Sequence, residues 1–370
     1  MANSSRPTWG LAMSASFDIA ASTGTYKVSI ESGVFHRYLA GLDSAAVIAD
    51  QFFEPTFQQL ARFAIFVPAH ETNKSLDASP ALIEQMRRSG ANRQTHIVAV
   101  GGGIIQDLSA FIASVYMRGL QWSYVPTTVL AMVDSCIGGK SSINVGPYKN
   151  LVGTIHPPSQ VLIDPSLALT LPADDQSSGL IEAAKICFCH GADCFERHIS
   201  YAPRPGMSTE ALEAVIVNSL MAKKHFIEVD EFDKGERLLL NFGHTFGHAI
   251  EGASHYAIPH GIAVGVGILC ALEFQRRHGV DYSNTPAVRL LEDHLDAMLR
   301  PIRKLGADLR AVSLDEVFKR FESDKKHGSE NYTLILVSAG GEVQLQRFAK
   351  SFKIQDSVQN AIQTIVEKYS

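Results

Sequence analysis

Two histidines four positions apart and a distant carboxylate carry the strongest chemical signal in the sequence. The spacing of His244 and His248 places both imidazoles on one face of a helix. His260 follows farther along the chain, and Glu182 lies one helical turn before Lys185 in an otherwise apolar segment. Two histidines and a carboxylate are a common ligand set for a catalytic zinc ion. The pattern predicts a metal site, with a core or capping histidine and a surface Glu182–Lys185 ion pair as the alternatives.

A run of three glycines is the second feature. Gly101, Gly102 and Gly103 follow a strand-like run and precede a helical one, with Asp107 expected in the first turn. Glycine lets a backbone approach a pyrophosphate closely, and a helix N-terminus supplies N–H groups. The run is not the G-x-G-x-x-G fingerprint, so a nucleotide-binding turn and a plain tight turn are both compatible with it.

A glycine-rich stretch with few charges follows at residues 134–144. It contains Lys140 and Asn144, and Lys149 and Asn150 come shortly after it. Ammonium groups and side-chain amides in such a stretch are typical of a phosphate or polyol site.

Two further cations, Lys223 and Arg237, lie near a run of acids. The acids are Glu228, Asp230, Glu231 and Asp233. Considered alone, this pattern favours ordinary surface ion pairing. The segment 324–326, Asp-Lys-Lys, is likewise typical of a solvated turn.

Length and composition exclude several classes of protein. The chain has 370 residues, 46% of them hydrophobic and 19% charged, which suits two domains or one large one. With a net charge of −5 and no apolar run near the roughly 20 residues of a membrane span, we expect neither nucleic-acid nor membrane binding. Five cysteines predict reduced thiols and a cytoplasmic protein. Residues 1–14 are interpreted as a loose extension and not as a signal peptide.

The elements that must position these residues change character along the chain. Strand-like runs at 45–49, 63–67, 96–100 and 121–125 alternate with helical ones at 81–89 and 107–115. Such alternation predicts a parallel sheet. Helical segments follow at 180–189, 209–229, 246–251, 262–276, 285–304 and 314–322. A hairpin is expected at 333–337 and 343–346. We predict an α/β domain over 1–176 and a mainly helical domain over 177–370.

The motifs together resemble the 3-dehydroquinate synthase family of sugar phosphate cyclases, from about residue 47 to residue 343. The stretches that carry the resemblance are GGGIIQDL (101–108), YMRG (116–119), VPTT (125–128), DSCIGGK (134–140), KN (149–150), TLP (170–172), GLIEAAK (179–185), LNFGHTFGHAIE (240–251), HG (260–261) and DKK (324–326). They occur in one order at consistent spacing.

The resemblance implies a Rossmann-like NAD-binding α/β domain, a mostly α-helical metal-binding domain, and a homodimer. Its metal ligands, for Zn²⁺ or Co²⁺, fall on Glu182, His244 and His260. Its NAD positions fall on Asp50, Glu71, Lys74, Gly102, Gly103, Asp107, Thr127, Thr128, Lys140, Lys149 and Thr170. Its catalytic positions fall on Asp134, Lys140, Lys185, Asn241, His248 and Lys326. Its substrate-binding positions fall on Arg118, Lys149, Asn150, Lys223 and Arg237, with Arg118 reaching a phosphate in the partner subunit.

The family reaction converts 3-deoxy-D-arabino-heptulosonate 7-phosphate to 3-dehydroquinate and phosphate. It comprises an oxidation, an elimination of phosphate, a reduction and an intramolecular aldol closure, with NAD regenerated in each turnover. The resemblance assigns the substrate carboxylate to Lys223 and Arg237, which favours a carboxylated substrate. His248 is expected to relay protons near the metal.

Several positions depart from the usual family pattern. They are Gln106, Ser141 and Ser142, residues 145–148, Ala183 and Ala184, and Ile262. Because some of these changes lie near Lys140 and Lys149, a secondary-metabolism paralogue is the alternative to 3-dehydroquinate synthase. It would be either an aminodehydroquinate synthase or a sedoheptulose 7-phosphate cyclase. Two alternatives come from other functional classes. One is a metal-dependent dehydrogenase of the glycerol dehydrogenase type, and the other is a catalytically silent NAD-binding regulator.

Overall fold

The computed structural model describes residues 14–42, 45–57, 64–146 and 148–370. Its strands in the first half are β1 (Ala15–Ala21), β2 (Gly24–Ile30), β3 (Ala46–Asp50), β4 (Ala64–Val67), β5 (Ile97–Gly101), β6 (Trp122–Pro126), β7 (Ile143–Val145), β8 (Tyr148–Val152) and β9 (Gln160–Ile163). Seven of them form one sheet in the order β1-β2-β9-β6-β5-β3-β4. Strand β1 runs antiparallel to β2, every other pair in this sheet is parallel, and β7 and β8 form a separate hairpin.

The parallel strands bring the predicted cofactor residues to one edge of the sheet. Strand β5 is buried along its whole length, as expected for a parallel strand covered on both faces. Because β3, β5 and β6 are parallel neighbours, their carboxyl ends meet at the same edge. Asp50, Gly102 and Thr127 lie at those ends, which is where ligands bind in open α/β sheets.

Helices surround this sheet and make up most of the second half. They are α1 (Val34–Ala40), α2 (Glu54–Phe57), α3 (Ser79–Arg88), α4 (Gly103–Val115), α5 (Ala173–His190), α6 (Ala192–Ser200), α7 (Thr209–Val229), α8 (His244–Ala253), α9 (His260–Arg277), α10 (Pro286–Leu299), α11 (Leu305–Ala311), α12 (Leu314–Glu322) and α13 (Phe352–Tyr369). A hairpin of β10 (Asn331–Val337) and β11 (Val343–Ala349) precedes α13. One hydrophobic core runs through both halves, with Tyr124 of the sheet and Val264 of α9 in the same cluster.

Most predicted elements are confirmed, with two corrections. Helix α4 begins at Gly103, so Asp107 lies beyond the first turn and not in it. The helix expected over 285–304 ends at Leu299, because Pro301 cannot continue a helix. Ten elements of the structure were not predicted from the sequence, namely β1, β2, β7, β8, β9, α1, α2, α6, α11 and α13. The predicted domain boundary after residue 176 falls inside α5, and the division into two domains stays a prediction.

Two other expectations concern cysteines and membranes. All five cysteines are free thiols. No helix in the described ranges is long and apolar enough to cross a membrane. The predicted amino-terminal extension falls almost entirely on residues 1–13, which lie outside the described residues.

Candidate active site

Three helices place the predicted metal ligands next to one another. Glu182 lies midway along α5, whereas His244 and His260 are the first residues of α8 and α9. Helices α8 and α9 approach closely because Gly267 has no side chain. A Cβ at that position would lie 2.2 Å from the Gly243 carbonyl oxygen, so only glycine permits this approach.

The distances within this cluster suit a single small cation. Glu182 Oε1 lies 3.8 Å from His244 Nε2 and 3.6 Å from His260 Nε2. The ligand nitrogens of His244, His248 and His260 all lie within 4.8 Å of one another. The structure therefore brings together the predicted trio and adds His248 to it. Glu182 faces His244 and His260, and His248 lies close to those two histidines.

Hydrogen bonds on the Nδ1 atoms prepare two of the histidines to bind a metal. His260 Nδ1 lies 3.0 Å from Glu251 Oε2, and His244 Nδ1 lies 3.3 Å from the Phe242 carbonyl oxygen. Both oxygens only accept hydrogen bonds, so each Nδ1 carries the hydrogen. The lone pair then resides on Nε2, which is the nitrogen that faces Glu182.

The Glu182 carboxylate is the feature that best fits a bound metal ion. Its side chain is 0% exposed, and neither oxygen has an aligned hydrogen-bond donor among the described residues. The Lys185 ammonium lies 2.6 Å from Oε2 as an ion pair. This ion pair involves Oε2, so Oε1 is left as a buried acceptor that a divalent cation would satisfy. The Glu182–Lys185 pair is buried, so its interpretation as a surface ion pair is wrong.

A chain of alternating charges connects this cluster with the sheet edge. Lys149 Nζ lies 3.0 Å from Glu251 Oε1 and 3.8 Å from Glu71 Oε1. Lys74 Nζ in turn lies 3.5 Å from Glu71 Oε1 and 3.0 Å from Asp107 Oδ2. Lys74 also donates a hydrogen bond of 2.9 Å to Asn150. The charges of the predicted cofactor and metal positions are thus linked through neighbouring side chains.

Burial alters the acid–base properties of Asp107 within this chain. Burial raises the pKa of Asp107 to about 6, although the Lys74 ammonium opposes the shift. The charge of the Asp107 carboxyl group therefore changes close to neutral pH, where it can affect the binding of a nearby ligand group.

Three cations gather on the other side of the cluster. Lys223 and Arg237 are buried, at 6% and 5% exposed, which corrects their interpretation as surface residues. Lys223 pairs with Asp134 at 2.6 Å, and Lys140 pairs with Asp233 at 2.8 Å. Burial lowers the pKa of both lysines, and the Arg237 guanidinium lowers it further.

Arg237 is the member of this group without a carboxylate partner. Its guanidinium donates to the Glu231 carbonyl oxygen at 2.6 Å, and it makes no ion pair with any described residue. The guanidinium also packs where a side chain on Gly138 would be, 2.4 Å from that Cβ position. A buried guanidinium that lacks an anion is suited to bind one from a ligand.

The glycine turn lies at the N-terminus of α4, as predicted. A Cβ on Gly102 would lie 2.9 Å from the Thr128 side chain, so the strand end and the loop after β6 are in contact there. The Thr127 N–H donates to the Gly101 carbonyl oxygen at 3.1 Å. Nothing lies within 4 Å of a Cβ built on Gly103, which leaves the helix N-terminus open to a ligand.

Several predicted residues do not contact these groups. Thr170 is exposed and donates to its own turn at Leu167. Arg118 is exposed with φ +73°, and its contact with a partner subunit stays a prediction. Asp50 caps the turn after β3 by accepting from the Phe52 N–H.

Two further residues predicted to be catalytic, Asn241 and Lys326, interact with residues close to them in the sequence. Asn241 donates to the Leu238 carbonyl oxygen at 3.0 Å, just before α8. Lys326 pairs with Asp324 at 3.1 Å, and both charges influence the His248 imidazole.

Sequence reasoning did not assign Glu251 or Asp233 to the site. Glu251 closes the quoted stretch 240–251, one turn after His248, which is a spacing that could have indicated it. Asp233 stood only in an acidic run, and nothing local identifies Lys140 as its partner. Two positions 93 residues apart in the chain meet only through the fold.

Comparisons with known proteins identify the family of the chain. The sequence models of the 3-dehydroquinate synthase N-terminal and C-terminal families match residues 64–178 and 179–327. A 3-dehydroquinate synthase from Dictyoglomus thermophilum is 36% identical over 287 residues, which are 76% of this chain and 78% of that protein. One from Streptococcus pyogenes is 33% identical over 297 residues, covering 78% and 79%.

Solved structures share the fold. A 2-deoxy-scyllo-inosose synthase in complex with carbaglucose-6-phosphate, NAD⁺ and Co²⁺ has a TM-score of 0.80 at 24% identity, covering 95% of this chain and 99% of that one. The 2-epi-5-epi-valiolone synthase of Streptomyces hygroscopicus, with NAD⁺ and Zn²⁺ bound, has a TM-score of 0.77 at 22% identity, covering 94% and 99%. A probable glycerol dehydrogenase from Sinorhizobium meliloti is more distant, with a TM-score of 0.60 at 16% identity, covering 92% and 96%. Given both matched halves and these relatives, the chain is an enzyme that belongs to the 3-dehydroquinate synthase family.

Proposed function

We propose that the chain is an NAD- and metal-dependent 3-dehydroquinate synthase, which converts 3-deoxy-D-arabino-heptulosonate 7-phosphate to 3-dehydroquinate and phosphate. The observation that carries the choice of substrate is the buried Arg237 guanidinium without a carboxylate partner. Sugar phosphates without a carboxylate would leave this cation unpaired in a closed site, which is unfavourable. A heptulosonate supplies the missing anion.

The neighbouring residues support an anionic substrate. The Arg237 guanidinium lies close enough to Lys140 and Lys223 to lower the pKa of both lysines, while two acids, Asp134 and Asp233, pair with them. The local excess of positive charge would attract a ligand that bears both phosphate and carboxylate. We assign the carboxylate to Arg237 and Lys223, and the phosphate to Lys140 together with Lys326.

The metal would be held by Glu182, His244 and His260. The Glu182 Oε1 atom, which faces both histidines, and the two Nε2 lone pairs fit a divalent cation such as Zn²⁺ or Co²⁺. When bound, such a cation polarises hydroxyl and carbonyl oxygens of the substrate. His248 lies beside the cluster on the accessible side of α8, where its imidazole can accept or donate a proton to substrate oxygens.

NAD would bind at the carboxyl edge of the sheet. The open helix N-terminus at Gly102 and Gly103 suits a pyrophosphate, and Asp50 is placed for the adenosine half. When bound, NAD accepts a hydride and later returns it. The chain from Asp107 to Glu251 then lies between the cofactor and metal positions, so Lys74 and Lys149 can orient ligand groups from both.

Phosphate release tests the proposal. Purified protein loaded with Zn²⁺ and catalytic NAD is incubated with the heptulosonate phosphate, its 4-amino analogue or sedoheptulose 7-phosphate. We expect phosphate and 3-dehydroquinate from the first substrate alone. Release from either of the others alone would assign the chain to a secondary-metabolism cyclase. Accumulation of NADH with a simple polyol and no phosphate release would instead indicate a dehydrogenase.

A further inference from the structure

Glu251 connects two groups that the proposed function treats separately. It lies on α8 and is 7% exposed. Its Oε2 atom lies 3.0 Å from His260 Nδ1, and its Oε1 atom lies 3.0 Å from Lys149 Nζ. One carboxylate thus contacts a metal ligand on one side and a predicted cofactor and substrate residue on the other.

We propose that Glu251 is a positioning residue that orients His260 for the metal and holds Lys149 in the cleft. This inference rests on the proposed function in one respect, because it takes Glu182, His244 and His260 as the metal ligands. Glu251 itself is not a ligand in this proposal. Its effect on the metal passes through the His260 ring.

The hydrogen bond to His260 has a defined physical consequence. A carboxylate that accepts from Nδ1–H fixes the tautomer and the ring orientation, and it makes Nε2 a stronger donor to the metal. His260 is the first residue of α9, so it has no preceding helical turn to hold its ring. The Glu251 carboxylate, fixed within α8, supplies that constraint.

The connection between α8 and α9 brings the two residues face to face. His255 and Tyr256 adopt φ values of +51° and +64°, a left-handed conformation that non-glycine residues rarely take. The Tyr256 N–H donates to the Glu251 carbonyl oxygen at 3.0 Å, which folds the loop back over α8. Backbone strain of this kind persists where the surrounding structure enforces it, often at functional sites.

Lys149 is held from several directions. Besides Glu251, its ammonium lies 3.8 Å from Glu71 Oε1 and 4.3 Å from the centre of the Tyr256 ring. The described structure contains no hydrogen bond between Lys149 and His260, and both side chains bind opposite oxygens of Glu251. Removal of Lys149 should therefore disturb ligand binding in the cleft and leave the orientation of His260 unchanged, which separates the two roles of Glu251.

Metal binding without substrate or NAD tests this proposal. The metal-depleted protein is titrated with Co²⁺ alone, and the dissociation constant is measured by calorimetry and by the visible absorption of bound cobalt. We expect Glu251→Gln to weaken binding by about 10–100-fold and to change the cobalt spectrum, because the amide lacks the charge that polarises His260. Glu251→Asp, which keeps the charge on a shorter side chain, should lie between the wild type and Glu251→Gln.

Two control variants sharpen the test. Lys149→Met should bind Co²⁺ within about threefold of the wild type while it weakens NAD binding. Glu292→Gln removes a carboxylate that pairs with Arg276 on the exposed side of α9, and it should leave Co²⁺ affinity unchanged. Circular dichroism of each metal-free variant verifies that it is folded.

The outcomes separate this inference from the proposed function. Wild-type affinity in Glu251→Gln would overturn the role of Glu251 and leave the metal site standing. An equal loss in Lys149→Met would also overturn it, because the ion pair and not the His260 hydrogen bond would be responsible. Failure of the wild-type protein to bind Co²⁺ or Zn²⁺ would refute the proposed metal site, and this inference with it.

Discussion

Buried charged groups that a ligand could still bind mark the two ends of the candidate site, although Glu182 already forms an ion pair with Lys185. Glu182 is a fully buried carboxylate without an aligned donor, and Arg237 is a buried guanidinium without a carboxylate. Each arrangement is costly unless a ligand completes it, because isolated charges are poorly solvated inside a protein. A metal ion would complete the first, and a substrate carboxylate the second.

Replacement of Arg237 should discriminate between substrate and cofactor binding. We expect Arg237→Ala to lower kcat/KM for the carboxylated substrate by about 10–100-fold, since an unpaired buried polar group costs about 1–3 kcal/mol. The NAD dissociation constant should change little. Steady-state kinetics and calorimetric NAD titration measure the two effects. Arg237→Lys is the control. It keeps the positive charge but loses the planar guanidinium that can bind a carboxylate with two hydrogen bonds, and it should recover part of the activity. Equal damage to both constants would contradict the assignment.

Helix contacts decide whether these side chains can meet. Helices α8 and α9 pack closely at Gly267, and α5 packs against residues 129–135 at Gly179, where a Cβ would lie 2.4 Å from the Leu130 backbone nitrogen. Helix α7 joins the same segment, because Ser219 donates to the Val133 carbonyl oxygen at 2.9 Å. The metal ligands therefore depend on close helix packing that small residues allow.

A methyl group at Gly267 should damage the metal site from a distance. In Gly267→Ala the new Cβ would meet the Gly243 carbonyl oxygen, so α8 and α9 must separate, at a cost of about 1–3 kcal/mol in unfolding free energy. Co²⁺ affinity should fall as well, because His244 and His260 begin those two helices. Gly265→Ala is the matched control on the same helix, since its Cβ would lie 3.1 Å from the Ile181 side chain, a milder contact than 2.2 Å from a backbone oxygen. Denaturant unfolding and Co²⁺ titration compare the variants, and equal behaviour would contradict this account.

Two buried histidines in α6 and α10 predict a loss of stability in acid. Burial lowers the pKa of His198 to about 3 and that of His294 to about 4, from an ordinary value of 6.5. Their rings lie 5.5 Å apart, and neither His198 nitrogen has a hydrogen-bond partner among the described residues. The unfolded chain therefore binds more protons than the folded protein between about pH 4 and 6.5.

The contribution of these histidines is complete above pH 6.5 and is lost as the pH falls toward 4. Each should cost about 1.4 kcal/mol of unfolding free energy per pH unit in that window. His198→Leu should flatten the dependence, whereas His36→Gln, at an exposed position, should not. Urea unfolding of the metal-free protein between pH 4.5 and 7 measures the slopes. Identical slopes in all three proteins would contradict the role of His198.

Ion pairs join the two halves of the chain around the candidate site. Lys149 pairs with Glu251, Lys140 with Asp233, and Asp134 with Lys223, so each pair links a residue before position 150 to one after position 220. The hydrophobic core is continuous between the same halves. A ligand that binds among these charges therefore contacts both halves, and its binding energy should add to the stability of the whole fold.

Metal binding should raise the unfolding temperature. A cation at 100 times its dissociation constant adds about 2.7 kcal/mol, which corresponds to an increase of about 3–6 °C for a chain of this size. Differential scanning calorimetry with Zn²⁺, with Co²⁺ and with a chelator measures the change. In Glu182→Gln the metal should have no such effect, because the third ligand is lost. An equal increase in that variant would place the metal elsewhere.

The sequence by itself determined the features that depend on near neighbours. The apolar runs of the sheet, the helical periodicity of the second half and the spacing of His244 and His248 are local patterns, and all of them agree with the structure. The order of motifs was sufficient to indicate the family. Strand β2 escaped prediction because its place in the sheet depends on pairing with β9, more than 120 residues away, and β1 joins the sheet only through β2.

Only the tertiary structure decided which residues of the site meet. The acidic run and Lys223 and Arg237 are compatible with a solvated surface, yet packing buries both cations and places Asp233 against Lys140. The roles of Glu251 depend likewise on Lys149 and His260, which come from different elements. Contacts of this kind arise when distant segments are brought together by burial of a common core, and no local spacing encodes them.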